Sequence, residues 1–263
     1  MTSTQKLIKY LAVCLAIFLI ITILSIVILG ISSLGSIFGI HNSGSNKCNY
    51  NNVNSLDIDV VNTNITIKDG ETFSIDSTSE NTICKNNGSE LVIKEKNKLL
   101  NLRSSDLTIY IPKDYEFDEV SINTNVGKLE IDSIISNELD LDLGKGSTFI
   151  KYLKSNNTSI ETGVGKLEIA SSDISNLDFD MGVGKAIINT TLTGRNEIDA
   201  NVGSLELNLF GNKNDYKIKL DGCVGKNVID NEKVSSDAIY GSGRNLINID
   251  GGVGKIEINF RSE

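Results

Sequence analysis

From residue 55 onward, apolar and polar residues take turns along the chain. SLDIDV, LTIYI, LDLDL, LDFDM and YKIKL each carry an apolar or aromatic residue at every second position, with mostly polar residues between. Successive side chains of a strand point to opposite faces, so a period of two predicts strands with one buried and one wet face. No stretch past residue 40 sustains a helical period. Residues 11 to 29, LAVCLAIFLIITILSIVIL, are of another kind, nineteen apolar or small residues without a charge. A helix rising about 1.5 Å per residue over that length just crosses a hydrocarbon core of about 30 Å. Lys6 and Lys9 precede it and the next basic residue is Lys47, which predicts an amino terminus held inside and the bulk of the chain outside. The expected order is a cytoplasmic segment over 1–10, a transmembrane helix over 11–30, a polar tether over 31–54 and an extracytoplasmic β-repeat domain over 55–263.

Within the repeat domain a phrase recurs: NVGKLEI at 125–131, GVGKLEI at 163–169 and GVGKIEI at 252–258. Its glycines fall at Gly127, Gly144, Gly165, Gly184, Gly203, Gly225 and Gly254, at intervals of 17, 21, 19, 19, 22 and 29. Strands and turns repeating at about twenty residues predict an all-β solenoid in which each coil stacks on the last. The longer final interval predicts a loop projecting between residues 229 and 245.

Alternation keeps one parity before each corner (Val120, Ile122, Thr124 and Val126; Leu177, Phe179, Met181 and Val183; Ile247, Ile249, Gly251 and Val253). It takes the other parity after it, with Leu129 and Ile131, Ala186 and Ile188, Ile256 and Ile258. A flip of parity marks a bend. The expected corner has Gly accepting the unusual backbone, Val plugging the inside and Lys pointing to solvent. LGKGSTFI, with Gly146 in place of Leu, and CVGKNVI, with Asn227, are expected to be distorted, or Asn227 to make an inward polar contact with a stacked neighbour. Stacking in register would line up Lys128, Lys145, Lys166, Lys185, Lys226 and Lys255 along one edge, broken by Ser204. Glu130, Glu168, Glu206 and Glu257 would stand beside them. That stripe reads either as solubilising trim or as a cationic site for an anionic wall polymer. A phosphate-binding loop is excluded, because it needs Gly five residues before the Gly-Lys pair and Ser or Thr after it.

LTIYIPKDYEFDEVSINTNVGKLEI, residues 107–131, has a strand ending in Ile-Pro, a short polar turn and paired strands around Gly-Lys. In this it resembles a bacterial β-strand-repeat family of adhesin-like proteins whose domain has no known function. The resemblance covers residues 55 to 260 and implies a membrane anchor with the repeat outside; it brings no catalytic residues with it.

Charge and candidate chemistry narrow the function further. The net charge is −9, and −11 once the two lysines before the helix are set aside, which argues against nucleic acid as a partner. His41 is the only histidine and sits in the tether, so no serine or cysteine triad of the usual kind is available. The carboxylates at i, i+2 spacing (Asp57 and Asp59, Asp140 and Asp142, Asp178 and Asp180) read as wet strand faces rather than a glycosidase pair. DGGVGK lacks the Asp spacing of a calcium-binding repeat. Cys14 lies in the membrane segment; of Cys48, Cys84 and Cys223, a Cys48–Cys84 bridge is one possibility, and no spacing suggests zinc. The Asn-x-Ser/Thr sequons at Asn64, Asn87, Asn156, Asn157 and Asn189 read as products of an Asn-rich composition. No cofactor is expected. The sequence points to a non-enzymatic, membrane-anchored cell-surface module for adhesion or envelope organisation, with an envelope polymer or a membrane protein as partner. The alternative is a sensory or regulatory partner in envelope-stress signalling.

Overall fold

Strands with one apolar face must bury it against one another, and here they do so by coiling. The computed structural model describes residues 53–96 and 104–261. The expected transmembrane helix at 11–30, nearly all of the tether, His41, Cys14 and Cys48 lie outside the described residues. Among those described, no helix is long and apolar enough to cross a membrane. The tether ends earlier than its composition suggests, because Val53 is fully buried and its carbonyl accepts the Tyr115 hydroxyl.

Among the described residues fourteen strands form one continuous sheet. They are β1 (Ser55–Gly70), β2 (Ser74–Ser77), β3 (Thr82–Asn87), β4 (Glu90–Glu95), β5 (Ser105–Pro112), β6 (Glu116–Ile169) and β7 (Ser172–Ser175). The second half contributes β8 (Leu177–Thr193), β9 (Arg195–Phe210), β10 (Tyr216–Asp221), β11 (Val224–Ile229), β12 (Glu232–Lys233), β13 (Ile239–Gly241) and β14 (Asn245–Arg261). The long strands are bent, and they pair in parallel with the coil on either side. β6 alone runs through 54 residues.

The stacking order departs from the sequence at both ends. β1 lies between β6 and the outermost pair β4 and β5. At the other end β14 inserts between β9 and the outermost pair β10 and β11. Each coil therefore stacks on the last only in the middle of the domain. The segment expected to project between residues 229 and 245 instead contains β12 and β13, which fold back antiparallel on β11 and β10. β2 and β3 do the same to β5 and β4. Physically this answers the exposed edge of a parallel stack: unpaired N–H and C=O groups at either end are covered by strands too short to template further pairing.

The interior is a column of Ile, Leu, Val and Phe, with every expected inward residue up to three before the glycine, and from two after it, buried where it carries a side chain: Val120, Ile122, Thr124, Leu129 and Ile131; Leu177, Phe179, Met181, Ala186 and Ile188; Ile247, Ile249, Ile256 and Ile258. Amide side chains also link the coils, as a ladder on the outer face of the strands and, at Asn196, inside the column. Asn259 Nδ2 donates to Asn208 Oδ1 and Asn208 Nδ2 to Asn189 Oδ1, each at 3.0 Å. Buried Asn196 accepts from the Leu177 N–H at 2.9 Å and donates to the Leu246 carbonyl at 3.0 Å, joining three successive coils. Satisfied buried amides of this kind fix register, since a slip by one coil residue would orphan them. At the amino-terminal end a carboxylate does comparable work. Glu95 is buried, and its Oε1 accepts from the Thr63 hydroxyl at 2.5 Å while Oε2 accepts from the Val61 N–H at 3.1 Å.

Candidate surface site: the glycine corner and its rows

Seven glycines do stack into a corner, but one of them is not the glycine expected. The column runs Gly127, Gly146, Gly165, Gly184, Gly203, Gly254 and Gly225. A Cβ on Gly146 would stand 1.7 Å from the Gly127 carbonyl oxygen, and one on Gly184 1.9 Å from that of Gly165. Each coil's corner thus rests directly on the backbone of the one before, a close approach only glycine permits. Gly144 belongs to the row two residues earlier, where its Cβ would meet the Asn125 carbonyl at 2.3 Å. With Gly146 in the column the interval from Gly127 to Gly203 is a uniform 19 residues. LGKGSTFI is therefore in register rather than distorted, with buried Thr148 at the position Leu takes elsewhere.

The valines point the other way from expectation. Val126, Val164, Val183, Val202, Val253 and Val224 are 45 to 62% exposed. Val126, Val183 and Val253 are not inside the corner; they stand on its crest. A convex bend turns the side chain of its middle residue outward, and the space within is closed by residues three before and two after the glycine, such as Met181 and Ala186. Val164, Val183, Val202, Val253 and Val224 are in register on five successive coils. Lys145 stands in this valine row and not in the lysine row.

Two residues on, the lysine row runs Lys128, Ser147, Lys166, Lys185, Ser204, Lys255, Lys226. The structure so brings together five of the six expected lysines. Lys166 Nζ lies 2.6 Å from Glu168 Oε2, and Lys255 pairs with Glu257 in the same way, which holds the Glu257 carboxyl below its usual range. Glu130, Glu168, Glu206 and Glu257 share the outward face as expected, with Phe149 and Ile187 between them in the same row. Asn227 is buried and donates to the Cys223 carbonyl of its own coil at 3.3 Å, not to a stacked neighbour.

On the other side of the valines, and not foreseen, is an acidic row: Asp142, Glu161, Asp180, Asp199, Asp250 and Asp221 on successive coils. The i, i+2 aspartates were visible, but their stacking depends on the 19-residue register that Gly146 sets. Neighbouring strands lie about 4.8 Å apart, so like charges repel along the row. Partial burial, followed by the charges of Asp250, Asp180, Asp178 and Glu197, raises the Asp199 carboxyl above its usual range. Beside this row lies an open groove of about 400 Å³ whose walls include Glu119, Glu138, Asp140 and Asp178. Among the described residues no cluster of His, Cys, Asp and Glu could hold a metal ion. Cys84 is disulfide-bonded, while Cys48 lies outside the described residues; Cys223 is a buried free thiol whose pKa burial raises.

Parallel coils with charge and valine rows running the length of the stack define a β-strand-repeat domain that presents long surfaces. The chain belongs to the Toastrack DUF4097 family, whose model matches residues 42–243. Similar solved structures include a candidate cell adhesion protein from Clostridium sporogenes, 17% identical over 81% of this chain and 95% of that one, with a TM-score of 0.34. A candidate adhesin from Bacteroides fragilis is 16% identical over 78% and 92%, with a TM-score of 0.40. No curated protein matches the sequence.

Proposed function

We propose that the protein is a non-enzymatic surface-binding module, anchored by residues 11–30 and displayed outside the membrane, that holds an envelope polymer or a membrane protein against its long faces. The observation that carries this reading is the register of the coils, which repeats polar and charged side chains in rows along the faces on either side of the corner. A solenoid enlarges one continuous surface with every coil it adds, which suits adhesion or envelope organisation and needs no cleft. The anchor rests on the uncharged apolar run and on Lys6 and Lys9 before it. A disulfide at Cys84 agrees with an oxidising exterior.

Protease added to right-side-out protoplasts, after removal of any wall, is expected to digest the repeat domain and leave a short membrane-protected fragment. A repeat domain that survives until the membrane is permeabilised would place it inside and overturn the reading.

A further inference from the structure

Across the corner the rows stand in a fixed order: carboxylates four residues before the glycine, valines one before, lysines one after. We propose that this edge is self-complementary, and that two copies of the chain pack corner to corner with their coil axes parallel, about a twofold axis running along the valine row. Turning a second copy to face the first about that axis exchanges left and right. Valine then meets valine, and each flank sets one copy's carboxylates against the other's lysines. A twofold axis across the row would set carboxylate against carboxylate instead.

The match holds coil by coil. Glu161 faces the mate's Lys166, Asp180 its Lys185, Asp250 its Lys255 and Asp221 its Lys226, while Asp199 faces Ser204, because strand register puts each carboxylate and lysine of a pair on one coil. Both copies have the same coil spacing, so no pair drifts out of step over five coils; a partner without that repeat would lose the match. Five stacked valines form a contiguous apolar strip of a kind that scattered surface residues do not explain. Their branched side chains are already stiff, so ordering them costs little. Lys145, which would meet its own mate, bounds the contact on the side toward Gly127. The pairs Lys166–Glu168 and Lys255–Glu257 are solvent-exposed enough that the lysines can be shared with a facing carboxylate. Complementary charge of this kind selects orientation and suppresses the wrong partner. This association stands whether or not the domain is displayed outside the membrane.

The test uses the full chain in detergent micelles, followed by sedimentation at rising protein concentration. One variant carries Glu at Lys166, Lys185, Lys226 and Lys255; the other carries Lys at Glu161, Asp180, Asp221 and Asp250. Wild type is expected to dimerise and each variant alone to remain monomeric. An equimolar mixture of the two should dimerise again, because an all-acidic edge fits an all-basic one. A mixture of folded variants that stays monomeric would overturn the proposal, as would a dimer indifferent to both variants. So would a monomeric wild type, including one that binds anionic lipid vesicles through its lysines. Should either charge variant fail to fold by circular dichroism, the uncharged double change Val183→Ser and Val202→Ser decides. It is expected to move the dimerisation midpoint at least about tenfold higher in concentration, and an unmoved midpoint would contradict the proposal.

Discussion

Gly184→Ala is expected to destabilise the coil domain by about 3 to 5 kcal/mol, adding the strain of an unfavourable backbone to the overpacking of a closed site. Gly184 has φ 149°, in the region L-residues avoid, and a methyl group there would sit 1.9 Å from the Gly165 carbonyl oxygen. That oxygen belongs to the backbone of the neighbouring coil and cannot swing aside. Relief requires the two coils to separate, which would disturb the flanking parallel pairs from Val183 to Ala186. The neighbouring change Lys185→Ala touches only an exposed side chain and should cost less than about 0.5 kcal/mol. Urea denaturation reads both: a lower midpoint at unchanged slope for Gly184→Ala, and an unshifted one for Lys185→Ala. Equal midpoints for the two variants would contradict the corner.

Glu95→Leu is expected to cost about 2 to 4 kcal/mol, because a buried donor left without an acceptor costs about 1 to 3 kcal/mol. The carboxylate takes the Val61 N–H and the Thr63 hydroxyl, and Ser105 Oγ approaches it at 3.4 Å. Ser105 and Thr63, 2.7 Å apart, can still satisfy each other in part; the Val61 N–H cannot. Glu95→Gln keeps an acceptor and should lose about half as much. Native-state hydrogen exchange is the sharper probe, with the Val61 amide exchanging fastest in the Leu variant. A Val61 amide as protected in that variant as in wild type would show that Glu95 does not hold it.

How far the sequence discloses this architecture varies by residue. The buried positions on either side of the corner, from Val120 to Thr124 and from Leu129 to Ile131, follow from alternation alone. Six of the seven corner glycines are legible because Val-Gly repeats, followed by Lys at five of them and by Ser204 at the sixth. The seventh is ambiguous because GKG offers two glycines, and only the stacking contact on Gly127 separates Gly146 from Gly144. Lys145 followed Gly144 out of its row for the same reason. Alternation alone puts the valines inside, and the convex backbone at the bend suspends alternation there. The insertion of β14 between β9 and β11 leaves no trace in a one-dimensional period, which gives the length of a coil but not which neighbour it meets. β12 and β13, of two and three residues, are too short for any pattern. Asn208 was hidden by its neighbours: in LELNLF the apolar positions are Leu205, Leu207 and Leu209, yet the Asn between them is buried as well because it bonds along the ladder.

The acidic, valine and lysine rows all depend on one structural claim, that the residue before each corner glycine stands outside the coil. Cysteine labelling tests it most directly. In the native chain, with the labelled peptide read by mass spectrometry, a thiol at Val183→Cys should react with a water-soluble maleimide at the rate of an exposed cysteine. One at Met181→Cys, two residues earlier and buried in wild type, should react only on unfolding. A protected thiol at position 183 beside a reactive one at 181 would turn the corner inside out and remove the surface on which the functional reading rests.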